Sequence, residues 1–529
     1  MDIWSWICEL PDSDEWTQFN SQLTFQLASS QPINNNLAQS IQLRAERTLG
    51  LSSEVYINFF VCCKGFNSSD SEKTIWASET CPLSSDKPFL PLVIQLLQEI
   101  VSRAPTAHDS TCPRSQLQNL KREPVSWILD SHSPESFSSF FNLVFLTRLF
   151  WLCVCDAPSE VGSFYFHSLL VPNLEIFSCK YAPVLRNFFV TVGTDVELCF
   201  MRTFGYMLAK WLILKEVEVG LQSLTTLPTK NLGFSYAVES HGLWILKGYV
   251  PVKSMQCVQF HGKKNQFPAV LDAKESLLKY ALAHQQLEAV IQLEYTVQFS
   301  DNFIQVNTRV DNIRIHVVKL GFKNGSDENF LDEKHFPSRI RVWVGPEVGA
   351  SYVGGLSLGR STDNMEREME MQKTLKGISG KLKVPKVKAM AKLATRAKIK
   401  NWRWDQDVEG NAAIFDANLC DNSTGVEIAT WRPPVGSGHM GINFRRRYTG
   451  GGRPFTKSGG LIFAGEEYGE GVGWRLGKEM EGSVLKWRIG GQVWLSYWPN
   501  DVISSYYDTR CIEWCDEVDL PLIPSTSRN

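Results

Sequence analysis

Ser357 stands in "GLSLG", Gly355 to Gly359, the G-x-S-x-G spacing that on a strand-to-helix elbow presents a serine hydroxyl as the nucleophile of acyl transfer. That chemistry needs a histidine base, and downstream only His439 is available. The segments around Ser357 alternate as antiparallel strands do, whereas an elbow requires parallel strands separated by helices. A serine hydrolase using Ser357 is therefore kept as an alternative, and an enzyme is not the leading expectation.

Other spacings lead to less. "GSGHMG", Gly436 to Gly441, matches G-x-G-x-x-G, but Pro433 and Pro434 precede it and "INFRRRY" follows. A phosphate-cradling loop needs a strand before and a helix after. The nine histidines are solitary, and Cys511 and Cys515 stand four apart with no second ligand pair near them; no metal site and no cofactor are expected. The acids of "GEEYGEG" read as a solvated, glycine-rich turn.

Charge is more informative. Residues 373 to 404 hold eleven lysines and arginines and no acid, in a chain of net charge −2. Lys388, Lys392, Arg396 and Lys400 recur every four residues, so a helix over 386–400 would align them in one stripe, with Val387, Met390, Ala394 and Ala397 on another face. Before them "KLKVPKVK" alternates like an extended strand and carries Lys381, Lys383 and Lys386, while Pro385 stops a continuous helix. Lys398 completes the run, and Arg445, Arg446 and Arg447 form a second basic cluster beside a glycine-rich loop. These residues are the candidate anion contacts. An anionic membrane contributes about 1 kcal/mol per basic residue near it. Nucleic acid would use the same charge, but only Trp402 and Trp404 offer stacking surfaces. A solvated loop or linker is the plain alternative.

The elements that must position these residues read as follows. To about residue 225, apolar residues fall at helical spacing, as in "LPLVIQLLQEIVSRA", with strand character in "EVYINFFVCC". From about 230, "HGLWILKGYVPV", "AVIQLEYTVQF" and "RIRVWVG" alternate or are rich in β-branched and aromatic residues. A helix is expected from Ala273 to about Leu287 behind Asp272, and another in "STDNMEREMEMQKTLK", which passes from acids to bases. "VLKWRIGGQVWLSYW" reads as a hairpin turning at Gly490 and Gly491. The expected fold class is α+β, with a helix-rich N-terminal half and an antiparallel, sandwich-like β-rich C-terminal half bearing a basic insertion. The expected division is 1–225 helical, 226–362 β-rich with one helix, 363–403 the acidic-to-basic helix and lysine-rich insertion, and 404–529 a β-rich continuation.

Two apolar stretches have the length of membrane spans. "FSSFFNLVFLTRLFWLCVC" carries Arg148, and "VELCFMRTFGYMLAKWLILK" carries Arg202 and Lys210; an arginine at mid-span costs about 2.5 to 3.5 kcal/mol on insertion scales. Both are expected to be buried helices, with no transmembrane span. The N-terminus lacks the features of a secretory or transit peptide, and thirteen scattered cysteines fit a reducing compartment. The expectation is cytoplasmic, with peripheral membrane association or the nucleus as compatible sites.

"FPSRIRVWVGPEVGASYVGGLSLGRSTDN", "EGNAAIFDANL" and "FTKSGGLIFAGEEYGEGVGWRLGKEMEGSVLKWRIGGQVWLSYWPN" together resemble a plant-specific family of cytosolic-looking proteins of about this length. "TRCIEWCDEVDLPLIP" and the opening "IWSWICELPDSDEW" are similar to it as well. The resemblance implies a plant origin and brings no activity or catalytic residues with it. The expected function is a non-enzymatic scaffold or interaction protein that binds a protein partner and contacts an anionic lipid surface through the lysine-rich segment, with nucleic acid as the less favoured partner.

Overall fold

The computed structural model describes residues 2–16, 21–30, 38–50, 54–66, 72–104, 120–170, 182–216, 234–252, 284–320, 334–376, 388–420, 455–498 and 509–524, isolated positions within these spans excepted. The chain divides into two compact units, one of residues 1–236, 248–288 and 318–331, the other of 237–247, 289–317 and 332–529.

The first unit starts with a short helix, α1 (Ile3–Glu9), capped by Asp2, whose carboxylate accepts from the Ser5 amide. An antiparallel sheet follows: β1 (Gln22–Ser29), β2 (Ser40–Leu49), β3 (Val55–Lys64) and β4 (Lys73–Ala77) pair in sequence order, and β5 (Cys81–Pro82) adds to β3. Alternation with period two makes these strands, since Ile41, Leu43, Ala45, Ile57, Phe59 and Val61 are buried together on one face. Six helices then cover 90–216: α2 (Leu90–Ser102), α3 (Arg122–Ser131), α4 (Pro134–Phe150), α5 (Ser159–Tyr165), α6 (Ala182–Val192) and α7 (Thr194–Glu216). From Phe140 onward helix α4 is buried all round, with Asn142, Thr147 and Arg148 the polar residues among its apolar ones. Trp4 of α1 packs on Phe137 and Phe141 of α4 with ring centroids 4.8 and 4.7 Å apart. Residues 134–154 are long and apolar enough to cross a bilayer, and 89% of that window is buried inside the fold.

Two further antiparallel sheets follow, and most of their residues belong to the second unit. One contains β14 (Trp402–Glu409), β15 (Ala412–Leu419), β10 (Lys334–Pro346), β18 (Val484–Trp498) and β19 (Thr509–Pro521), in that spatial order. The other runs β11 (Val353–Leu358), β17 (Gly471–Gly477), β9 (Phe303–Leu320), β8 (His284–Phe299), β7 (Leu243–Val252) and β6 (Phe234–Ser240), with β16 (Leu461–Ala464) also on β9. Their inner faces pack as a sandwich through large aromatics: Trp487 lies 5.2 Å from Trp474 and 6.3 Å from Trp244, and Trp404 lies 4.9 Å from Phe463. Two of these buried indoles find partners, Trp474 Nε1 donating to Asn411 O at 2.8 Å and Trp244 Nε1 to Asp519 O at 3.1 Å, whereas Nε1 of Trp404 and of Trp487 has no acceptor among the described residues.

These strands overturn the expected fold class. The chain is α+β and rich in strand from its first fifty residues onward, so a helix-rich N-terminal half is wrong. "QLTFQLAS" and "SIQLRAERTL" are strands β1 and β2: their leucines, alanines and glutamines suit a helix by composition, but the alternation that fits a one-sided sheet prevails. The acidic-to-basic segment is a strand too, β12 (Met365–Lys376), and the lysine run contains β13 (Lys388–Ile399). Of the helix expected over 273–287, its last four residues begin strand β8 and the rest lies outside the described residues. Gly490 and Gly491 are no hairpin turn, because β18 passes straight through them. A Cβ on Gly490 would sit 2.1 Å from the Trp343 ring, so the glycine makes room for an indole laid across the strand.

Candidate functional site

Strands β12 and β13 form a two-stranded antiparallel sheet, and among the described residues neither pairs with a third strand. Each is 12 residues long. The register opposes Met365 to Ile399 at the root and Lys376 to Lys388 at the far end. Because strand residues alternate between faces, this register sorts the sequence into two chemically different surfaces. One face takes Glu366, Glu368, Glu370, Gln372, Thr374 and Lys376 of β12 with Lys388, Met390, Lys392, Ala394, Arg396 and Lys398 of β13. The other takes Met365, Met369, Met371 and Leu375 with Ala389, Ala391, Leu393, Thr395, Ala397 and Ile399, interrupted by Arg367 and Lys373.

Charge is graded along the polar face. Near the root, Glu366 is opposite Lys398 and Glu368 opposite Arg396, pairs of opposite sign that support the register. Toward the far end, Gln372 is opposite Lys392, and Lys376 is directly opposite Lys388, a like-charge pair that destabilises an isolated ladder. Lys373 adds positive charge on the other face. The root is nearly neutral and the far end is basic with nothing across the ladder to offset it.

The root is held by groups from elsewhere in the second unit. Asn364 brackets the Trp404 peptide, its Nδ2 donating to Trp404 O and its Oδ1 accepting from Trp404 N, both at 2.8 Å. Two residues earlier, the Thr362 amide donates to Glu470 Oε1 at 2.8 Å, and Gln406 Nε2 donates to Glu470 Oε2 and to Arg360 O. Glu470 is buried, and its carbonyl accepts from the Val310 amide of β9 at 2.8 Å. The acids of "GEEYGEG" therefore differ: Glu466 and Glu467 are exposed after a turn at Gly465, whose φ of +87° suits glycine, while Glu470 is a structural clamp. Nothing in the sequence separates these three acids; only the fold does.

Of the candidate anion contacts, Lys388, Lys392, Arg396 and Lys398 lie on β13 and share its polar face. Lys381, Lys383, Lys386, Lys400, Arg445, Arg446 and Arg447 lie outside the described residues, as does "GSGHMG". The face-sharing of Lys388, Lys392 and Arg396 survives the change from helix to strand because a four-residue spacing is even. Their surroundings do not survive it: Met390 and Ala394, placed on another face of a helix, join the lysines in the strand.

Ser357 sits within β11, paired antiparallel to β17 opposite Gly473, and its hydroxyl donates to Gly473 O at 3.5 Å. No helix follows β11 and no elbow is formed. Cys511 and Cys515 are exposed on β19, and the Cys511 thiol is pushed up by desolvation and by the charge of Glu513. Among the described residues no three His, Cys, Asp or Glu side chains cluster as metal ligands would. On the outward face of the five-stranded sheet, Asp416 accepts from Arg339 Nη2 at 2.8 Å and from Arg341 Nη2 at 2.7 Å. Burial works to raise its carboxyl, but the two guanidiniums outweigh burial and hold it below the usual carboxylate range. The two guanidiniums are held by one carboxylate, with Arg339 Nε left without an acceptor among the described residues, and Arg339 also lies 4.6 Å over the Trp494 ring.

No protein-family model matches the chain, and no curated protein matches it. Solved structures superpose on it at a low level. The membrane-inserted form of the Clostridium perfringens NetB toxin is 9% identical with a TM-score of 0.22, over 54% of this chain and 94% of that one. Clostridium perfringens delta-toxin is 8% identical with a TM-score of 0.21, over 54% and 96%. A structure titled as a pore forming protein is 9% identical with a TM-score of 0.18, over 53% and 95%. Superpositions at this level do not establish a common fold.

Proposed function

We propose that the protein is a non-enzymatic membrane-associating protein whose β12–β13 hairpin contacts an anionic lipid surface with its far end leading. The observation that carries this reading is the register of Lys376 directly opposite Lys388, next to Lys392 and Lys373. Like charges directly opposite destabilise a ladder, and an anion beside them offsets their repulsion. Phosphate-bearing headgroups supply such anions, at about 1 kcal/mol per basic residue near the surface. The opposite face adds methionine and leucine positions, and fully burying one such side chain contributes about 1.5–3 kcal/mol. A hairpin with a basic end and one apolar face suits the interface between headgroups and acyl chains better than it suits nucleic acid, for which it offers no aromatic side chain at all.

Co-sedimentation tests the reading. The full chain should pellet with vesicles of equimolar phosphatidylcholine and phosphatidylserine and stay in solution with phosphatidylcholine alone. Reversing Lys376, Lys388 and Lys392 to glutamate should lower the bound fraction by about a hundredfold or more, from about 1 kcal/mol per lysine removed, while the thermal midpoint stays in place. Equal binding to both vesicle types, or unchanged binding by the variant, would remove the electrostatic basis of the proposal.

A further inference from the structure

Resting on that membrane-contact reading, we infer that the hairpin does not stop at the surface but crosses the bilayer, joined edge to edge with the hairpins of further copies of this chain in a closed barrel. Three observations lead there. The first is length. Twelve-residue strands are about 40 Å long at about 3.3 Å per residue, and at the tilt usual in barrels they rise about 30 Å, the thickness of the hydrocarbon layer. The second is the sorting of faces by the register, one mainly apolar and interrupted by Arg367 and Lys373, the other mainly polar, which is the period-two pattern of membrane-crossing strands.

The third is the pair of free edges. β12 and β13 pair only with each other among the described residues. A two-stranded hairpin in hydrocarbon leaves the outer amides and carbonyls of both strands without partners, which lipid cannot supply. Only closure removes both edges, and two strands cannot close. The β12 edge of one copy and the β13 edge of the next are complementary in a head-to-tail ring, the arrangement that closes by rotation. A second copy of this chain is thus the partner that the hairpin requires.

Arg367 and Lys373 interrupt the apolar face six residues apart, about 20 Å along the strand and about 14 Å in depth at barrel tilt. Arg367 lies toward the near boundary of the apolar band, and Lys373, nearer its middle, is the costlier of the two, since the cost of a basic residue rises toward the midplane. On the lumen side the register sets Glu366 opposite Lys398 and Glu368 opposite Arg396, positions of opposite charge. Asn364 and Glu470 fix the root, so the body of the second unit stays on the near side while the basic end advances to the far leaflet.

Release of calcein from vesicles of equimolar phosphatidylcholine and phosphatidylserine, read beside co-sedimentation of the same samples, tests the inference. The full chain should release the dye at a rate that rises more steeply than linearly with protein concentration, and glutaraldehyde should trap species larger than dimers on the vesicles only. Met371→Asp and Leu393→Asp, which place a carboxylate on the lipid face, should lower release about tenfold or more and still pellet with the vesicles. Ala394→Gln, a neutral polar change on the lumen face opposite Glu370, should release like the parent and so controls for folding. Pelleting without release, or release by Met371→Asp equal to the parent, overturns the inserted barrel and leaves surface contact standing. Failure of the parent chain to pellet overturns both.

Discussion

Arg148 lies inside the most apolar stretch of the chain, and what it costs there is set by Glu99. The guanidinium is 5% exposed and donates from Nε to a Glu99 carboxylate that is 27% exposed and also accepts from Trp76 at 3.0 Å and Gln95 at 2.8 Å. The two partners are unequal: water reaches the acid and hardly reaches the base. Removing the acid takes the carboxylate partner from a buried cation, whereas removing the base leaves a carboxylate that keeps two donors and solvent. Glu99→Ala should therefore destabilise the protein by about 3 kcal/mol, and Arg148→Met, which fills the same volume with apolar atoms, by about 1 kcal/mol or less. Urea unfolding followed by tryptophan fluorescence would measure both; equal losses would show that the pair is as solvated at one end as at the other. That Arg148 argues for a buried position is legible in the sequence, since an arginine in such a stretch needs a partner. Which acid serves is not legible, because Glu99 comes from a different helix 49 residues away.

At the scale of elements, the chain misleads wherever composition and period disagree. "MEREMEMQKTLK" and "KAMAKLATRAKI" are built from glutamate, methionine, lysine, alanine and leucine, the residues with the strongest intrinsic preference for helix. Their alternation of charged and apolar residues has period two, and the backbone follows the period. The same conflict hid β1 and β2. Long strands rich in valine and isoleucine, such as β9 and β10, present no conflict and were legible. Glu470 belongs to a third case, a residue whose role depends wholly on what the fold brings to it from positions 361, 362 and 406. Its carboxylate ties the segment entering β12 to β14 and to the start of β17. Glu470→Ala should leave the Thr362 amide without its acceptor in a buried site, a loss of about 2 kcal/mol for a hydrogen bond to a charged group. Hydrogen exchange should quicken by about tenfold or more at Thr362 and in β12, with β18 amides unchanged. If exchange there keeps the parent rate, the hairpin root is fixed by Asn364 and packing instead.

At the scale of the whole molecule, charge is divided very unevenly. Residues 365–399 hold ten basic and three acidic side chains, +7 against a chain total of −2, which leaves −9 for everything else. An anionic surface therefore repels most of the protein and attracts one hairpin, so that the hairpin alone can lead the approach; the effect weakens with salt, over a screening length of about 8 Å at physiological ionic strength. The same hairpin adds no strand to either sheet of the sandwich, and an isolated two-stranded ribbon contributes little stability in water. On the proposed reading, lipid contact and fold are carried by separable parts of the second unit. Replacing residues 365–399 by a short Gly-Ser linker tests this directly, because Asn364 and Trp404 already hold the two ends together through paired hydrogen bonds and shortening a loop lowers its closure entropy. The deletion should shift the thermal midpoint by no more than about 2 °C, preserve the near-ultraviolet signal of the Trp244, Trp474 and Trp487 cluster, and abolish pelleting with phosphatidylserine vesicles at every salt concentration. A deletion that unfolds the sandwich would make the hairpin a structural element of the fold, and one that still binds vesicles would place the lipid contact on the remainder of the chain, where the second basic cluster of Arg445, Arg446 and Arg447 is the place to look.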